Sequence, residues 1–342
     1  MGRHHQNRKT AKPETMNASY INTVRLLLDI VNPTLSQGNF AIKGGTAINL
    51  FVQDMPRLSV DIDLVFLDHS LDRPEALAQI GKDLQAAKVA IQRMNYVADI
   101  KQTKGGDETK MLVSSKNAQV KVEVNFVFRG TVLQPVSRSL TQATQNLFST
   151  DVTALILDVP ELYGSKLVAA MDRQHPRDIF DVQQMNSAFG LKSTFVDCFV
   201  AYLAGHNRPI HEVLFTRSHP LEQAFKSEFQ GMTKSPIVLE SLIQTQTDLI
   251  SSIPHALTKD HKQFLLSLSR AEPLWNLMPF ANLSELPAIR WKLMNLEKLK
   301  SKNPAQFSTQ FNELEARFSV MSNVEPAMKV NDDPATDRYR FR

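Results

Sequence analysis

The chain has 342 residues, of which 42% are hydrophobic, with one cysteine and a formal net charge of +4 at pH 7. This composition excludes global disorder, and the length is sufficient for one large or two ordinary domains. A single cysteine excludes an internal disulfide, no apolar run is long enough to cross a membrane, and no signal peptide is recognisable. We therefore predict a cytoplasmic protein without a membrane partner, whose mild basicity permits a polyanionic partner without requiring one.

The first elements of the chain predict a strand that turns into a helix at two glycines. An apolar stripe predicts a helix over 16–31, and the residues 39–43 and 47–52 have the patterns of a short strand and the start of a helix. Gly44 and Gly45 lie between them, where bare backbone N–H groups and a helix N-terminus favour an anion. The alternative is that the glycines only form a tight turn.

The next strand carries two acids on one face. Apolar residues alternate with Asp61 and Asp63 over 60–66, so both carboxylates point to the same side of the predicted strand. Adjacent carboxylates repel each other unless a cation lies between them, and Mg²⁺ can bind both while holding substrate phosphates. Asp-x-Asp pairs also occur in solvated turns, but the preceding glycine turn favours a phosphoryl-transfer site.

A third acid lies on a predicted hairpin. Strands are indicated over 110–114 and 120–126, with a turn at 116–118, and Glu123 occupies the polar face of the second strand. If this hairpin pairs beside the Asp-x-Asp strand, Glu123 joins the two aspartates in one cluster. The alternative is that Glu123 is only the exposed half of an amphipathic strand.

Two later helices, each with a proline in its first turn, carry further charged residues. Lys166 and Arg173 lie about two turns apart on the first helix. The second helix begins with Arg177 and Asp178, and Asp181 follows on the same face. Lys166 suits a point-charge contact to a triphosphate, and Arg173 or Arg177 suits a forked one. The alternative is a surface cluster of charges paired with one another.

These motifs, in this order, resemble the DNA polymerase β-like nucleotidyltransferase superfamily and, more narrowly, the AbiEii/AbiGii family of nucleotidyltransferase toxins. The resemblance covers roughly residues 40–182, and the rest of the chain matches only as a helical part. The motifs that carry it are Lys43-Gly44-Gly45-Thr46, Arg57 with Ser59, Asp61 and Asp63, Lys166 to Ala170, and Arg177 to Asp181, with Arg173 between the last two.

The resemblance implies two-metal nucleotidyl transfer from an NTP. Asp61 and Asp63 would bind Mg²⁺, with Mn²⁺ as a substitute, and Glu123 would complete the second metal and accept a proton from the attacking hydroxyl. Glu123 stands where the family often has Asp. Lys166 would neutralise the leaving pyrophosphate, and Asp178 would either orient Lys166 or contact the nucleotide. Nucleotide or phosphate contacts are implied for Lys43, Gly44, Gly45, Thr46, Arg57, Ser59, Arg173 and Arg177, with the role of Ser59 left open.

The predicted fold is α/β (α+β), with an N-terminal polymerase β-like mixed sheet flanked by helices and a mostly α-helical C-terminal domain. A polar turn at 104–107 is predicted to be a hairpin tip. Trp275 and Trp291 are predicted core anchors, and Cys198 a buried core residue. The predicted divisions are a flexible basic N-terminus at 1–15, a nucleotidyltransferase core at 16–158, a helical domain at 159–322 that contributes Lys166 and Asp178, and a flexible tail at 323–342.

The function implied by the resemblance is that of a toxin in a toxin–antitoxin system for abortive infection and phage defence. The toxin would transfer NMP from an NTP to an RNA acceptor, with a tRNA 3′ end as the leading case, and so block translation. A cognate antitoxin encoded nearby is the implied protein partner. Two alternatives stay open, which are nucleotidyl transfer to a protein side chain or small molecule, and a non-catalytic nucleotide-binding regulator.

Overall fold

A mixed sheet of seven strands forms the centre of the N-terminal half, in the order β3-β4-β5-β2-β1-β7-β6. A computed structural model describes residues 18–102 and 108–321. The strands are β1 (Phe40–Lys43), β2 (Asp61–Phe66), β3 (Val97–Gln102), β4 (Glu108–Ser114), β5 (Gln119–Asn125), β6 (Val136–Ser139) and β7 (Thr153–Ile156).

Helices flank this sheet and make up the described chain after β7. The helices of the sheet-bearing half are α1 (Ala18–Leu35), the single turn α2 (Gly44–Thr46) that continues as a π-helix (Ala47–Val52), α3 (Arg73–Arg93) and α4 (Gln142–Phe148). The later helices are α5 (Val159–Asp172), α6 (Pro176–Phe189), α7 (Ser193–Ala204), α8 (Ile210–Leu214), α9 (Glu222–Glu228), α10 (Leu239–Ala256), α11 (Lys259–Ser269), α12 (Pro287–Lys302) and α13 (Pro304–Met321), with short 3₁₀ turns at Trp275–Leu277 and Leu283–Glu285.

This architecture confirms the predicted mixed sheet with flanking helices and a helical remainder. The predicted strands and hairpin correspond to β1, β2, β4 and β5, and the helix expected after the glycine turn is present, with its second part in the π form. The sequence patterns did not predict β6, α4 and β7. Strands of four residues, such as β6 and β7, contain too few alternations to stand out from loops.

The sheet has one buried face and one open face near the acids. Side chains at alternate positions of β5 are buried and pack with the core on the side of α1, and α3 contacts both α1 and the strands β3 and β4. The other positions of β2 and β5 carry Asp61, Asp63 and Glu123. Strand β2 runs parallel to β5, with Asp63 opposite Glu123, and antiparallel to β1, with Lys43 opposite Asp63. The predicted pairing of the hairpin beside the Asp-x-Asp strand is therefore confirmed.

The helical part confirms some of the predicted core residues and corrects one. Cys198 is buried, and Trp275 packs against Phe264 with their ring centroids 6.0 Å apart. The prediction for Trp291 is wrong, because its position on α12 leaves the side chain 45% exposed. The predicted turn at 104–107 and both predicted flexible ends lie largely or wholly outside the described residues, and the division at 158/159 stays a prediction. No helix in the described ranges is both long and apolar enough to span a membrane.

Helices α5 and α7 cross closely at Gly164, and this crossing yields a stability prediction. A Cβ atom on Gly164 would lie 2.4 Å from Cys198 Cβ and 2.7 Å from the backbone of α7. Gly164→Ala is therefore expected to lower the free energy of unfolding by about 1–3 kcal/mol through overpacking, as measured by urea denaturation.

Gly81 on α3 is the matched control, because no heavy atom of another described segment lies within 4 Å of its Cβ position. Gly81→Ala is expected to raise the free energy of unfolding by about 0.5–1 kcal/mol, since alanine is the better helix former. Equal stability changes in the two variants would contradict the close crossing.

Candidate functional site

The glycine turn after β1 lies against the acidic strand at van der Waals distance. Gly44 has a φ of +70°, and a Cβ atom there would lie 2.5 Å from Asp63 Oδ2. A Cβ atom on Gly45 would lie 2.7 Å from Arg57 Nη2 and 3.0 Å from Ser59 Oγ. Gly44 is favoured by its left-handed conformation, and a Cβ atom on either glycine would force the neighbouring side-chain ends to move.

Two hydroxyl groups fix this turn to β2. Thr46 Oγ1 donates a hydrogen bond to the carbonyl of Asp61 and lies 3.0 Å from Ser59 Oγ. Both side chains are buried, so in this conformation their hydroxyl groups stabilise the turn by hydrogen bonding. The predicted phosphate contacts of Thr46 and Ser59 stay predictions.

Asp61 and Asp63 present two carboxylates to the open face of the sheet. Both residues are half-buried, and within the described part of the chain neither carboxylate forms a hydrogen bond or an ion pair. Burial raises the pKa of Asp61, Lys121 opposes this rise, and the charges of Asp63 and Glu123 add to it. A cation at this pair would relieve the repulsion, so the donor set fits a hard divalent ion.

Glu123 lies beside the two aspartates but binds lysines. Its Oε1 accepts Lys110 Nζ at 2.8 Å and Lys121 Nζ at 3.2 Å. Burial alone would raise the pKa of Glu123, but the hydrogen bonds from the two lysines outweigh it and hold the pKa below its usual value. No group of three His, Cys, Asp or Glu side chains in the described ranges has metal-binding geometry. The role of Glu123 as third metal ligand therefore stays a prediction.

Lys43 brings a cation to the other side of the acidic pair. It ends β1 directly opposite Asp63, immediately before the glycine turn. Burial lowers the pKa of Lys43, whereas Asp63 and Glu161 favour its charged form. Lys43 is half-buried and places a basic residue next to the glycine turn.

A buried ion network joins α5 and α6 to the segment before β2. Lys166 Nζ on α5 lies 2.8 Å from Asp178 Oδ1 and 3.0 Å from Asp181 Oδ2. Arg57 forms a forked pair with Asp181, with Nε 2.7 Å from Oδ1 and Nη2 2.6 Å from Oδ2. All four of these side chains are at most 6% exposed. The sequence also allowed these charged residues to pair with one another on the surface. They do pair with one another here, but in the interior.

Arg173 extends this network into solvent. Its Nε lies 2.5 Å from Asp178 Oδ2 and its Nη2 3.1 Å from Asp178 Oδ1, while the side chain stays 64% exposed. Burial would raise the pKa of Asp178, but Lys166 and Arg173 outweigh it and hold that pKa far below its usual value. Asp178 therefore stays ionised between one buried and one exposed cation. Arg177 is half-buried in the first turn of α6.

The turn between α5 and α6 is held by a side-chain amide network. Gln174 has a φ of +51° and is 2% exposed. Its amide donates to the carbonyl of Arg217 at 2.7 Å and accepts from Gln246 Nε2 at 2.6 Å. This network fixes the backbone between Arg173 and Asp178.

The sequence assigned no role to Asn49 or Glu161 and did not reveal the partner of Asp181. Asp181 was placed on the same helix face as Asp178, but its partner Arg57 was assigned to phosphate instead. Asn49 on the π-helix donates to Asp181 Oδ1 at 3.2 Å and to the Gly45 carbonyl at 2.9 Å. Glu161 accepts hydrogen bonds from the backbone of Val132 and Leu133. Only Asp181 had a sequence signal, which was its spacing from Asp178.

Comparison with known proteins gives a family and a structural neighbour. The sequence profile of the family described as nucleotidyl transferase AbiEii toxin, of a type IV toxin–antitoxin system, matches residues 25–295. The nucleotidyltransferase toxin MenT4 from Mycobacterium tuberculosis H37Rv superimposes with a TM-score of 0.55 at 16% sequence identity, over 73% of this chain and 89% of MenT4. At that identity the likeness shows a shared fold. A search of curated protein sequences found no significant match.

The ion network predicts a large stability loss for Asp181→Asn. The substitution removes the anion shared by Arg57 and Lys166 and leaves buried positive charge uncompensated. The free energy of unfolding is expected to fall by about 3–5 kcal/mol in urea denaturation. The control is Asp172→Asn, which breaks the more exposed pair with Arg208 and is expected to cost at most about 1 kcal/mol. A comparable loss in both variants would show that the network is not a buried constraint.

Glu161 predicts a pH dependence of stability. Burial raises the pKa of Glu161 to about 7 from the usual 4.5, against opposing hydrogen bonds from the backbone of Val132 and Leu133 and from Tyr202. Between pH 4.5 and 7 the folded state therefore binds more protons than the unfolded state. The contribution of Glu161 to the free energy of unfolding falls as the pH rises through this range, by roughly 3 kcal/mol in total.

The measurement is urea denaturation at pH 5, 6 and 7 for the natural chain and Glu161→Gln. The natural chain is expected to lose more stability between pH 5 and 7 than the variant, whatever the variant's absolute stability. Parallel pH profiles of the two proteins would contradict the raised pKa.

Proposed function

Because the chain belongs to the AbiEii family of nucleotidyl transferase toxins, we propose that it transfers NMP from an NTP to an RNA acceptor and so blocks translation. The leading acceptor is a tRNA 3′ end. The observation that carries the proposal is the pair of carboxylates of Asp61 and Asp63, which lie unpaired within the described part of the chain, with the glycine turn packed against Asp63.

The triphosphate would bind along the β1 side of the acidic pair. Gly44 and Gly45 open a helical turn, and such a turn favours phosphate oxygens. Lys43 adds a cation at the same place. Asp61 and Asp63 would hold Mg²⁺, or Mn²⁺, which when bound supplies positive charge to the phosphates and lowers the pKa of the attacking hydroxyl. In the proposed pocket, Lys43 lies on one side of the phosphate chain, and Asp61 and Asp63 with their metal ion lie on the other.

Arg173 would supply the forked contact to the departing pyrophosphate. Its guanidinium is held on one edge by Asp178 and is exposed on the rest of its surface. Arg177 is the second candidate from the same turn. Lys166 is held by two aspartates in the interior, so in this conformation it would act through Asp178, which it keeps ionised. A direct contact of Lys166 with pyrophosphate would require this ion network to open.

The toxin–antitoxin family implies a cognate antitoxin. We propose that this partner is encoded nearby, and that the system acts in the cytoplasm in defence against phage.

The proposed activity predicts transfer of label from an NTP to RNA. Purified protein is incubated with Mg²⁺, total tRNA and each α-³²P NTP in turn, and the RNA is resolved on a gel. Asp61→Asn is expected to lower the transfer rate by roughly 10²–10³-fold, because it removes a carboxylate that would hold the Mg²⁺ whose positive charge stabilises the transition state. Asp54→Asn is the control, since Asp54 is an exposed aspartate seven residues upstream; its transfer rate is expected to match that of the natural chain.

The other outcomes of the same assay discriminate between the alternatives. Label in a protein band or a soluble product, and none in RNA, would keep the chemistry and replace the acceptor. An absence of NTP turnover with every acceptor would contradict the proposal and favour a nucleotide-binding regulator.

A further inference from the structure

The open face of the sheet continues from the acidic pair across three more strands. On β3, β4 and β5, the side chains of the outward positions remain accessible, with Lys110 36% and Lys121 39% exposed and Lys101 exposed. The inward positions of β5 are buried with the core. The proposed NTP site uses the β1 side of Asp61 and Asp63, so apart from the predicted role of Glu123 this face has no part in the function described so far.

The strand register places lysines at defined steps from the acids. Lys121 on β5 is directly opposite Asp61 on β2. A second line of residues crosses the sheet two positions along these strands. It starts at Asp63 on β2 and passes through Glu123 on β5 and Lys110 on β4 to Lys101 on β3. Because adjacent strands lie about 4.8 Å apart, Lys101 lies roughly 14 Å from Asp63 across the sheet. The lysines therefore form a track that leads from the acidic pair to the edge strand.

On this face Glu123 is engaged by two lysines, whereas Asp99 stays 67% exposed. Glu123 Oε1 binds Lys110 at 2.8 Å and also holds Lys121 at 3.2 Å, which fixes Lys121 beside Asp61. Asp99 on β3 lies 4.0 Å from Lys88 of α3. A polyanion laid along the track would therefore meet lysine ammonium groups at both ends of it, at Lys121 and at Lys101.

The geometry of phosphoryl transfer favours this side for the acceptor. The attacking and leaving oxygens lie roughly in line across the transferred phosphorus. If the pyrophosphate leaves toward the glycine turn after β1, the attacking hydroxyl must approach from the opposite side of the acidic pair. That side is β5, where Lys121 is held.

We propose that the open face of β3, β4 and β5 binds the single-stranded 3′ end of the RNA acceptor, through phosphate contacts from Lys121 next to the attacking hydroxyl and from Lys101 further upstream. The inference rests on the proposed function, because it assigns the acceptor surface of the same site. Glu123 is then a positioning residue that holds Lys121 toward Asp61.

The test compares two double substitutions of equal charge. Lys101→Gln with Lys121→Gln removes both proposed contacts and keeps the Lys110–Glu123 pair, whereas Lys298→Gln with Lys302→Gln removes two exposed lysines of α12. Binding of fluorescent tRNA is measured by anisotropy without NTP between 50 and 200 mM salt, and transfer kinetics are measured with the NTP selected above.

The sheet variant is expected to bind tRNA roughly fivefold to tenfold more weakly and to lose about 1.4 from the slope of log affinity against log salt, as for two lost phosphate contacts. Its KM for tRNA is expected to rise by a similar factor, with kcat within about twofold and the KM for NTP unchanged. The α12 variant is expected to match the natural chain in all five quantities.

Unchanged tRNA affinity and KM in the sheet variant, or an equal loss in the α12 variant, would overturn the acceptor surface while leaving the transferase activity intact. The proposed function fails differently, when the natural chain transfers no label from any NTP. In that case the anisotropy comparison still decides whether the face binds RNA. A natural chain that binds no tRNA and labels a protein instead would overturn the inference.

Discussion

The buried ion network around Lys166 is the constraint on which the site depends. Removing an ion from water costs several kcal/mol, and this cost is offset only when each charge is paired with good geometry. Here Arg57, Lys166, Asp178 and Asp181 satisfy one another in the interior, with Arg173 at the edge. The network links α5 and α6 to the segment that leads into β2. The relative position of the acidic strand and the arginine turn is therefore set by charges that cannot separate without a large penalty.

Because the buried charges are paired with one another, the groups outside these pairs are the ones available to bind substrates. Asp61 and Asp63 have no cationic partner in the described part of the chain, while Arg173 is bound on one edge and open on the other. Lys43 lies opposite Asp63 on the neighbouring strand. Within its described ranges, the protein thus provides two aspartates without an ion pair and one arginine that is bound on one edge only. The metal ion would supply the positive charge for the aspartates, and the nucleotide phosphates would supply the negative charge for the arginine. The specificity for an acceptor then lies on the other side of the acids, on the open sheet face.

Much of the fold and the centre of the site could be predicted from the sequence, because they depend on local periodicity. The alternation in β2 and β5 places Asp61, Asp63 and Glu123 on one face, and the register confirms that they are neighbours. The glycine pair predicts a turn, and the structure adds that Gly44 has the left-handed backbone conformation that favours glycine and packs against Asp63. These inferences need only the geometry of a strand and of a turn.

The remaining features depend on which distant side chains meet, and spacing does not reveal that. The pairing of Arg57 with Asp181 joins residues far apart in the chain, so both residues looked like independent site candidates. The engagement of Glu123 by Lys110 and Lys121 likewise follows from the pairing of β4 with β5. Trp291 looked like a core anchor by residue type, but the position of α12 at the periphery exposes it.

The most direct test of the central claim is a crystal structure of the protein with Mn²⁺ and a non-hydrolysable NTP analogue, using anomalous scattering to locate the metal. The account predicts an anomalous peak at Asp61 and Asp63, with the triphosphate along Gly44 and Gly45 and the guanidinium of Arg173 near its end. A nucleotide bound away from the glycine turn, or Mn²⁺ bound only at other carboxylates, would contradict it.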